Sequence, residues 1–278
     1  MIPRAHITAW RANAPWSTDA QVEQDLVLSR ALVEIFADPL LNSRLAFRGG
    51  TALYKLHLLP APRYSEDIDL VQTEAGAIGQ VMTALRFRLD QWLGEPRRKQ
   101  GQGVTLIYRF ESEIPPVTPL RLKVEINTRE HFAVHGFEKR KFAVDSPWYS
   151  GTANLRTYCL EELLGTKLRA LYQRKEGRDL FDLALALERR PDLDVEKTVA
   201  CFLEYMRRSG AQVSRAEFEA NFRSKMDDPA FLADIVPLLS PNAGSQFEAK
   251  RAAEQVLDHF IARLPGEPWK GVTRHRIP

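Results

Sequence analysis

Two aspartates separated by one residue, Asp67 and Asp69, stand in the stretch SEDIDL beside the apolar Ile68 and Leu70. In an extended strand successive side chains face opposite ways, so both carboxylates leave the same face, roughly 6–7 Å apart along the strand. Charges that close repel unless a proton or a cation neutralises them, and a hard divalent cation such as Mg²⁺ prefers oxygen ligands of this kind. A polar edge strand facing water would carry the same pair, so a bare D-x-D is a weak signal. The segment LRLKVEIN adds a second strand, in which Lys123, Glu125 and Asn127 alternate with Leu122, Val124 and Ile126. Laid beside the first, it would bring Glu125 in as a third carboxylate, and such a trio can hold metal ions against a triphosphate. A cross-strand partner for a surface lysine is the competing reading of Glu125.

Gly49, Gly50 and Thr51 fall where a strand, RLAFR, should give way to a helix, TALYKLHLL. Without side chains in the way, backbone N–H groups at such a junction can approach an anion, and the helix dipole favours it. The spacing is not that of a Walker loop, and a simple turn uses the same residues. Further on, Leu160, Leu163, Leu164, Leu168 and Leu171 form an apolar helical stripe with Lys167 inside it. A lysine there either snorkels to water or is aimed at phosphate. Asp179 and Asp182 repeat the anomaly on the following helix. Asp179 could serve the helix start, where the dipole favours an acid, but Asp182 lies deeper. Arg63 and Lys55 are secondary candidates for phosphate contact.

These residues need elements to hold them. STDAQVEQDLVLSRALVEIF has polar capping candidates at Ser17, Thr18 and Asp19 and then helical apolar spacing, interrupted by Ser29. EDIDLV reads as a strand, AIGQVMTALRFRLDQWL as a helix, and VTLIYRF and LRLKVEIN as strands around the proline-rich turn EIPPVTP; KRKFAV is a weaker strand candidate. From Leu160 onward the pattern is helical throughout, and GVTRHRIP reads as a loose tail.

The 278 residues carry a net charge of +3, too balanced for a strong global field. Local basic clusters at Arg97, Arg98 and Lys99 and at Lys139, Arg140 and Lys141 suit phosphate contact without base reading. Cys159 and Cys201 are too few and too far apart for a disulfide framework or a zinc pattern. No apolar run approaches the roughly 18 residues of a membrane span, and the N-terminus lacks a signal-peptide core, so a cytoplasmic location and no membrane partner are expected.

Taken together, the double glycine with Thr51, SEDIDL, KVEIN, Lys167 and YQRKEGRDLFD resemble the AbiEii/AbiGii family of toxin nucleotidyltransferases, which includes the MenT toxins and belongs to the DNA polymerase beta-like superfamily. The matching motifs run from Gly49 to Asp182. The resemblance implies an α+β fold: a nucleotidyltransferase-like mixed sheet flanked by helices, followed by an all-helical subdomain. The expected domains are a core over residues 1–155 and a helical subdomain over 156–278 completing the active-site cleft. It also implies that Gly49, Gly50, Thr51, Arg63, Ser65 and Lys167 bind the nucleotide, and that Asp67, Asp69 and Glu125 hold one or two Mg²⁺ ions. Asp67, Asp69, Glu125, Lys167 and Asp182 would be catalytic, with Tyr172 and Asp179 completing the closing motif. Ser65 matches a hydroxyl that some relatives have phosphorylated, a route to silencing. Thr166 departs from the family, which often has an acid there.

By the same resemblance the reaction is Mg²⁺-dependent transfer of NMP from an NTP to the 3′ end of tRNA, blocking translation within a toxin–antitoxin system, with a cognate antitoxin as partner. Transfer to a protein or small molecule, a D-x-D glycosyltransferase, and a non-catalytic protein that binds RNA or a partner are the other readings. The glycine turn and the third carboxylate argue against the glycosyltransferase.

Overall fold

The computed structural model describes residues 2–101, 103–244 and 247–271. The tail expected at GVTRHRIP lies, from Val272 on, outside the described residues. The chain forms two compact units, residues 1–159 with 239–243 and residues 160–238 with 244–278.

The first unit opens with α1 (Arg4–Trp10), α2 (Asp19–Ala37) and α3 (Pro39–Arg44). Thr18 caps α2 through a reciprocal capping box with Gln21, as the polar residues at that boundary require, and such a cap stabilises by about 1 kcal/mol. β1 (Leu45–Arg48) runs into α4 (Gly49–Ala52), which continues as a wider π-type turn over Leu53–His57. Then come β2 (Asp67–Gln72), α5 (Gly79–Leu93), β3 (Arg97–Gln100), β4 (Gly103–Glu111), β5 (Pro119–Asn127), β6 (Phe137–Asp145) and β7 (Ser150–Tyr158).

The seven strands make one mixed sheet in the order β3-β4-β5-β2-β1-β7-β6. β2 lies parallel to β5 and antiparallel to β1, and β1 lies parallel to β7. Alternation gives the sheet one apolar face: Ile68, Leu70, Leu106, Tyr108, Leu122, Val124 and Ile126 are all buried. Helices α2 and α5 pack against the sheet, with Val81, Met82, Leu85, Leu89 and Leu93 forming the buried stripe of α5. Tyr108 donates its hydroxyl proton to Asp90 of α5 at 2.9 Å, giving that buried ring a polar partner.

Two strands had no place in the sequence reading. β3 is wholly exposed and basic, and β7, SGTANLRTY, carries only a thin apolar alternation. Because Ser150–Tyr158 is a strand of the sheet, the first unit reaches Cys159 instead of ending at residue 155. The chain also returns to this unit late: Leu239 bridges to Arg63, and Ser240 donates its amide to the Pro62 carbonyl at 2.9 Å.

The second unit is helical: α6 (Leu160–Gln173), α7 (Gly177–Arg189), α8 (Val195–Arg208), α9 (Arg215–Met226), α10 (Pro229–Ala233) and α12 (Ala249–His259), whereas the short α11 (Pro241–Gly244) belongs mostly to the first unit's returning segment. Gly165 lets α6 and α8 approach closely, since a Cβ there would lie 2.7 Å from the Cβ of Cys201. Cys201 is fully buried, a small apolar filler, and Cys159 is half-buried. No helix among the described residues is long and apolar enough to cross a membrane.

Candidate active site

The parallel register of β2 and β5 sets Asp67 opposite Lys123 and Asp69 opposite Glu125. Residues paired across strands share a face, so both aspartates, Lys123 and Glu125 point away from the buried side that Ile68, Leu70, Val124 and Ile126 form. The ammonium of Lys123 lies 2.5 Å from Glu125 Oε2 and 3.7 Å from Asp67 Oδ2. Burial would lower the pKa of Lys123, but its hydrogen bond to Glu125 and the charges of Asp67 and Asp69 outweigh this and raise it. It is therefore a firm cation.

Asp67 is less well compensated. Desolvation pushes its pKa up to about 6, and the neighbouring Asp69 and Glu66 add to the rise against the pull of Lys123 and Arg121. Its Oδ1 is buried and has no hydrogen-bond partner among the described residues. Among those residues no group of three or more His, Cys, Asp and Glu side chains is gathered as a metal cluster. Lys123 stands among the acids expected from sequence: it engages Glu125 closely and Asp67 more distantly, and among the described residues Asp67 Oδ1 is left as a buried oxygen donor without a hydrogen bond.

The glycine turn abuts this pair. Gly49 has φ +81°, and a Cβ on it would fall 2.1 Å from Asp69 Oδ2. A Cβ on Gly50 would fall 2.7 Å from Arg63 Nη2 and 3.3 Å from Ser65 Oγ. Both glycines therefore exist to let side chains of the β2 region close on the start of α4. The N-cap residue, Arg48, supplies no side-chain hydrogen bond to the helix amides; it reaches Glu130 instead, at 2.7 Å. An uncapped glycine helix start beside carboxylates is a suitable seat for a metal-bound phosphate. Thr51 donates its hydroxyl proton to the Asp67 carbonyl at 2.6 Å, so at the 2.8 Å contact between Thr51 and Ser65 it is Ser65 that donates.

Two cations are placed differently from the sequence expectation. Arg63 is only 3% exposed, its guanidinium 4.8 Å from the Tyr54 ring centroid and donating to the Tyr64 carbonyl at 3.0 Å. It supports the Gly50 turn from beneath, and direct phosphate contact would require it to leave that burial. Lys55 is held by both oxygens of the buried Asp25 at 2.8 Å and by Ser29 at 3.1 Å, with the indole N–H groups of Trp10 and Trp16 on the same carboxylate. The polar interruption at Ser29 belongs to this buried knot.

Within the helical unit, Lys167 Nζ lies 2.7 Å from Asp182 Oδ2 and 3.1 Å from Asp179 Oδ1. Both aspartates are fully buried and Lys167 is 7% exposed. Arg174 adds a two-pronged contact to Asp179, at 2.7 and 2.9 Å, which the sequence reading did not single out. Burial would raise the pKa of Asp179, but Lys167 and Arg174 outweigh it and hold the carboxyl below its ordinary value. Asp179 is thus a buried ion-pair member and not a helix cap. Tyr172 packs on Phe218 at 5.1 Å, and its carbonyl accepts from Lys225 at 2.8 Å. Thr166 donates to the Leu163 carbonyl within α6 at 2.8 Å.

A match to the family described as "Nucleotidyl transferase AbiEii toxin, Type IV TA system" runs over residues 30–259, taking in the motifs from Gly49 to Asp182. The chain belongs to the AbiEii nucleotidyltransferase toxin family. It is accordingly a nucleotidyltransferase, and family membership implies an NTP substrate and an antitoxin partner. Its fold is shared with MenT4, a nucleotidyltransferase toxin from Mycobacterium tuberculosis, at 16% identity and a TM-score of 0.55, over 93% of this chain and 99% of that one. JHP933 from Helicobacter pylori is similar at 17% identity and a TM-score of 0.50, over 87% of this chain and 94% of the other. Among curated protein sequences none matches.

Proposed function

We propose that this AbiEii-family chain transfers NMP from an NTP to the 3′-terminal hydroxyl of tRNA in the cytoplasm, thereby blocking translation. The new bond joins the acceptor oxygen to the α-phosphorus, the bond from that phosphorus to the bridging oxygen breaks, pyrophosphate leaves, and the hydroxyl proton passes to a base. The observation that carries the reading is the β2–β5 register, which sets Asp69 opposite Glu125 with Gly49 against Asp69.

Asp67 and Asp69 would hold Mg²⁺, for which the buried, unpartnered Oδ1 of Asp67 and its unmet charge are the fitting features. The bound ion would supply neutralisation of the triphosphate charge. Released from Lys123, Glu125 would accept the proton of the attacking hydroxyl or join Asp67 and Asp69 around a second ion. Lys123, firmly charged, would balance the acids meanwhile. The amides at the start of α4 would receive phosphate oxygens, with Ser65 and Thr51 fixing the loop that leads into Asp67 at the start of β2. For Lys167 the family resemblance implies countering of phosphate charge, with Asp182 orienting it.

The test is incubation of the purified protein with total tRNA, Mg²⁺ and each α-labelled NTP in turn. Label entering tRNA from one or two NTPs is expected. Label on a protein or small molecule would replace the acceptor, and no label from any NTP with any acceptor would overturn the reading.

A further inference from the structure

The register that brings the acids together continues across the sheet. Asp67, Lys123, Ile107 and Arg97 form one cross-strand row, and Asp69, Glu125, Thr105 and Lys99 form the next. A third row pairs Arg121 with Arg109. Because paired residues share a face, Arg97, Lys99, Arg109 and Arg121 leave the sheet on the same side as the aspartates. Arg98 points to the other side, so the basic cluster seen in the sequence divides between faces.

The side chains on this stretch are open to solvent or half-buried: β3 is exposed throughout, Arg109 is exposed, the Arg121 side chain is 62% exposed, and Thr105 and Ile107 are half-buried. Arg121 approaches Glu66 at 3.5 Å, whereas Arg97, Lys99 and Arg109 have no ion-pair partner among the described residues. Charge therefore changes sign along the face, with the acids on β2 and β5 and unpaired cations on β4 and β3. With about 4.8 Å between neighbouring strands, Lys99 stands roughly 14 Å from Asp69.

We propose that this basic face of β5, β4 and β3 is the track for the phosphate backbone of a single-stranded polynucleotide whose terminal hydroxyl reaches the acids. The proposal rests on the polynucleotide-acceptor reading above. A row of cations unmatched by protein acids among the described residues complements a polyanion, and an exposed sheet face can follow a single strand without needing to read its bases. A chain terminus is also what can deliver a hydroxyl to one end of such a track. Glu111, paired with Pro119 at the far end of β4, is an acid on this side and bounds the track there.

The test uses the triple variant Arg97→Gln/Lys99→Gln/Arg109→Gln, whose exposed positions leave the core untouched. A short fluorescein-labelled single-stranded RNA is the probe, its binding followed by anisotropy over a range of salt, with NTP binding measured separately. Loss of three phosphate contacts should weaken RNA binding by about 10-fold or more and reduce the log–log salt slope by about 2, with NTP affinity nearly unchanged. Lys139→Gln/Lys141→Gln, on β6 at the opposite edge, should bind RNA nearly as the parent does. Undiminished binding by the triple variant, or equal losses in both variants, would overturn the track while leaving the acceptor reading standing. A parent protein that binds NTP but no RNA would overturn the acceptor reading, and the track with it.

Discussion

Gly49 lies against Asp69 so closely that a Cβ built on it would fall 2.1 Å from the carboxylate oxygen Oδ2. The positive φ of Gly49 already disfavours any L side chain, by roughly 1–2 kcal/mol, and the overlap adds displacement of Asp69. Gly49→Ala should therefore lower stability by about 2 kcal/mol and abolish transfer more completely than that loss explains. Gly79→Ala is the control: it has open space around it and an ordinary φ, and should change stability by less than about 1 kcal/mol with activity retained. Urea denaturation and label transfer on the two variants decide this.

The Lys167 ion pairs are buried, so their removal should be asymmetric. Lys167→Met removes the 2.7 Å cation from Asp182 and one of the cations beside Asp179, and should cost about 3–5 kcal/mol of stability. Lys167→Met with Asp182→Asn should recover a large part of that, because the buried carboxylate that lost its closest cation goes too. Equal stabilities for single and double variants would contradict the pairing.

For Asp67 the folded-state pKa, about 6, lies above its ordinary 3.8. Between those values the native state binds more protons than the unfolded state, so the metal-free protein should lose stability as pH rises from about 4 to about 6. The side chain is 35% exposed, so solvent screening keeps the effect to about 1 kcal/mol. Asp67→Asn should flatten this part of the pH profile. Added Mg²⁺ should raise the Tm of the parent protein more above pH 6 than below it.

Lys55 should prove structural. Lys55→Met would leave Asp25 buried with only indole N–H partners and cost about 3 kcal/mol, and Asp25→Asn in the same chain should restore much of it. Because Lys55 is spent on Asp25, the restored double variant should bind NTP with near-parental affinity, as isothermal titration would show.

Much of this was legible because alternation is local. DIDLV and LKVEIN announce which residues share a face, and the apolar partners Ile68, Leu70, Val124 and Ile126 are indeed buried. The pairing of β2 with β5 was legible only as a condition, since strand partners more than fifty residues apart leave no local signal. β3 escaped notice because Arg97–Gln100 is exposed on both faces, and β7 because only Ala153, Leu155 and its last residues are buried. The burial of Lys167 showed in its place within a leucine stripe. The role of Arg174 did not, because an arginine five residues before an aspartate looks like any surface charge until the α6–α7 turn brings them together.

The acidic face shared by β2 and β5 is the proposed seat of nucleotidyl transfer. Pyrophosphate release coupled to labelling of tRNA by Asp69→Asn, compared with parent and with the triple variant of the basic face, tests it most directly. Asp69→Asn should fold with parental Tm, still bind RNA, and lose at least about 100-fold in both signals, a loss on the scale expected when charge stabilisation at the reacting centre is removed. An Asp69→Asn protein that folds and transfers label at the parental rate would contradict it.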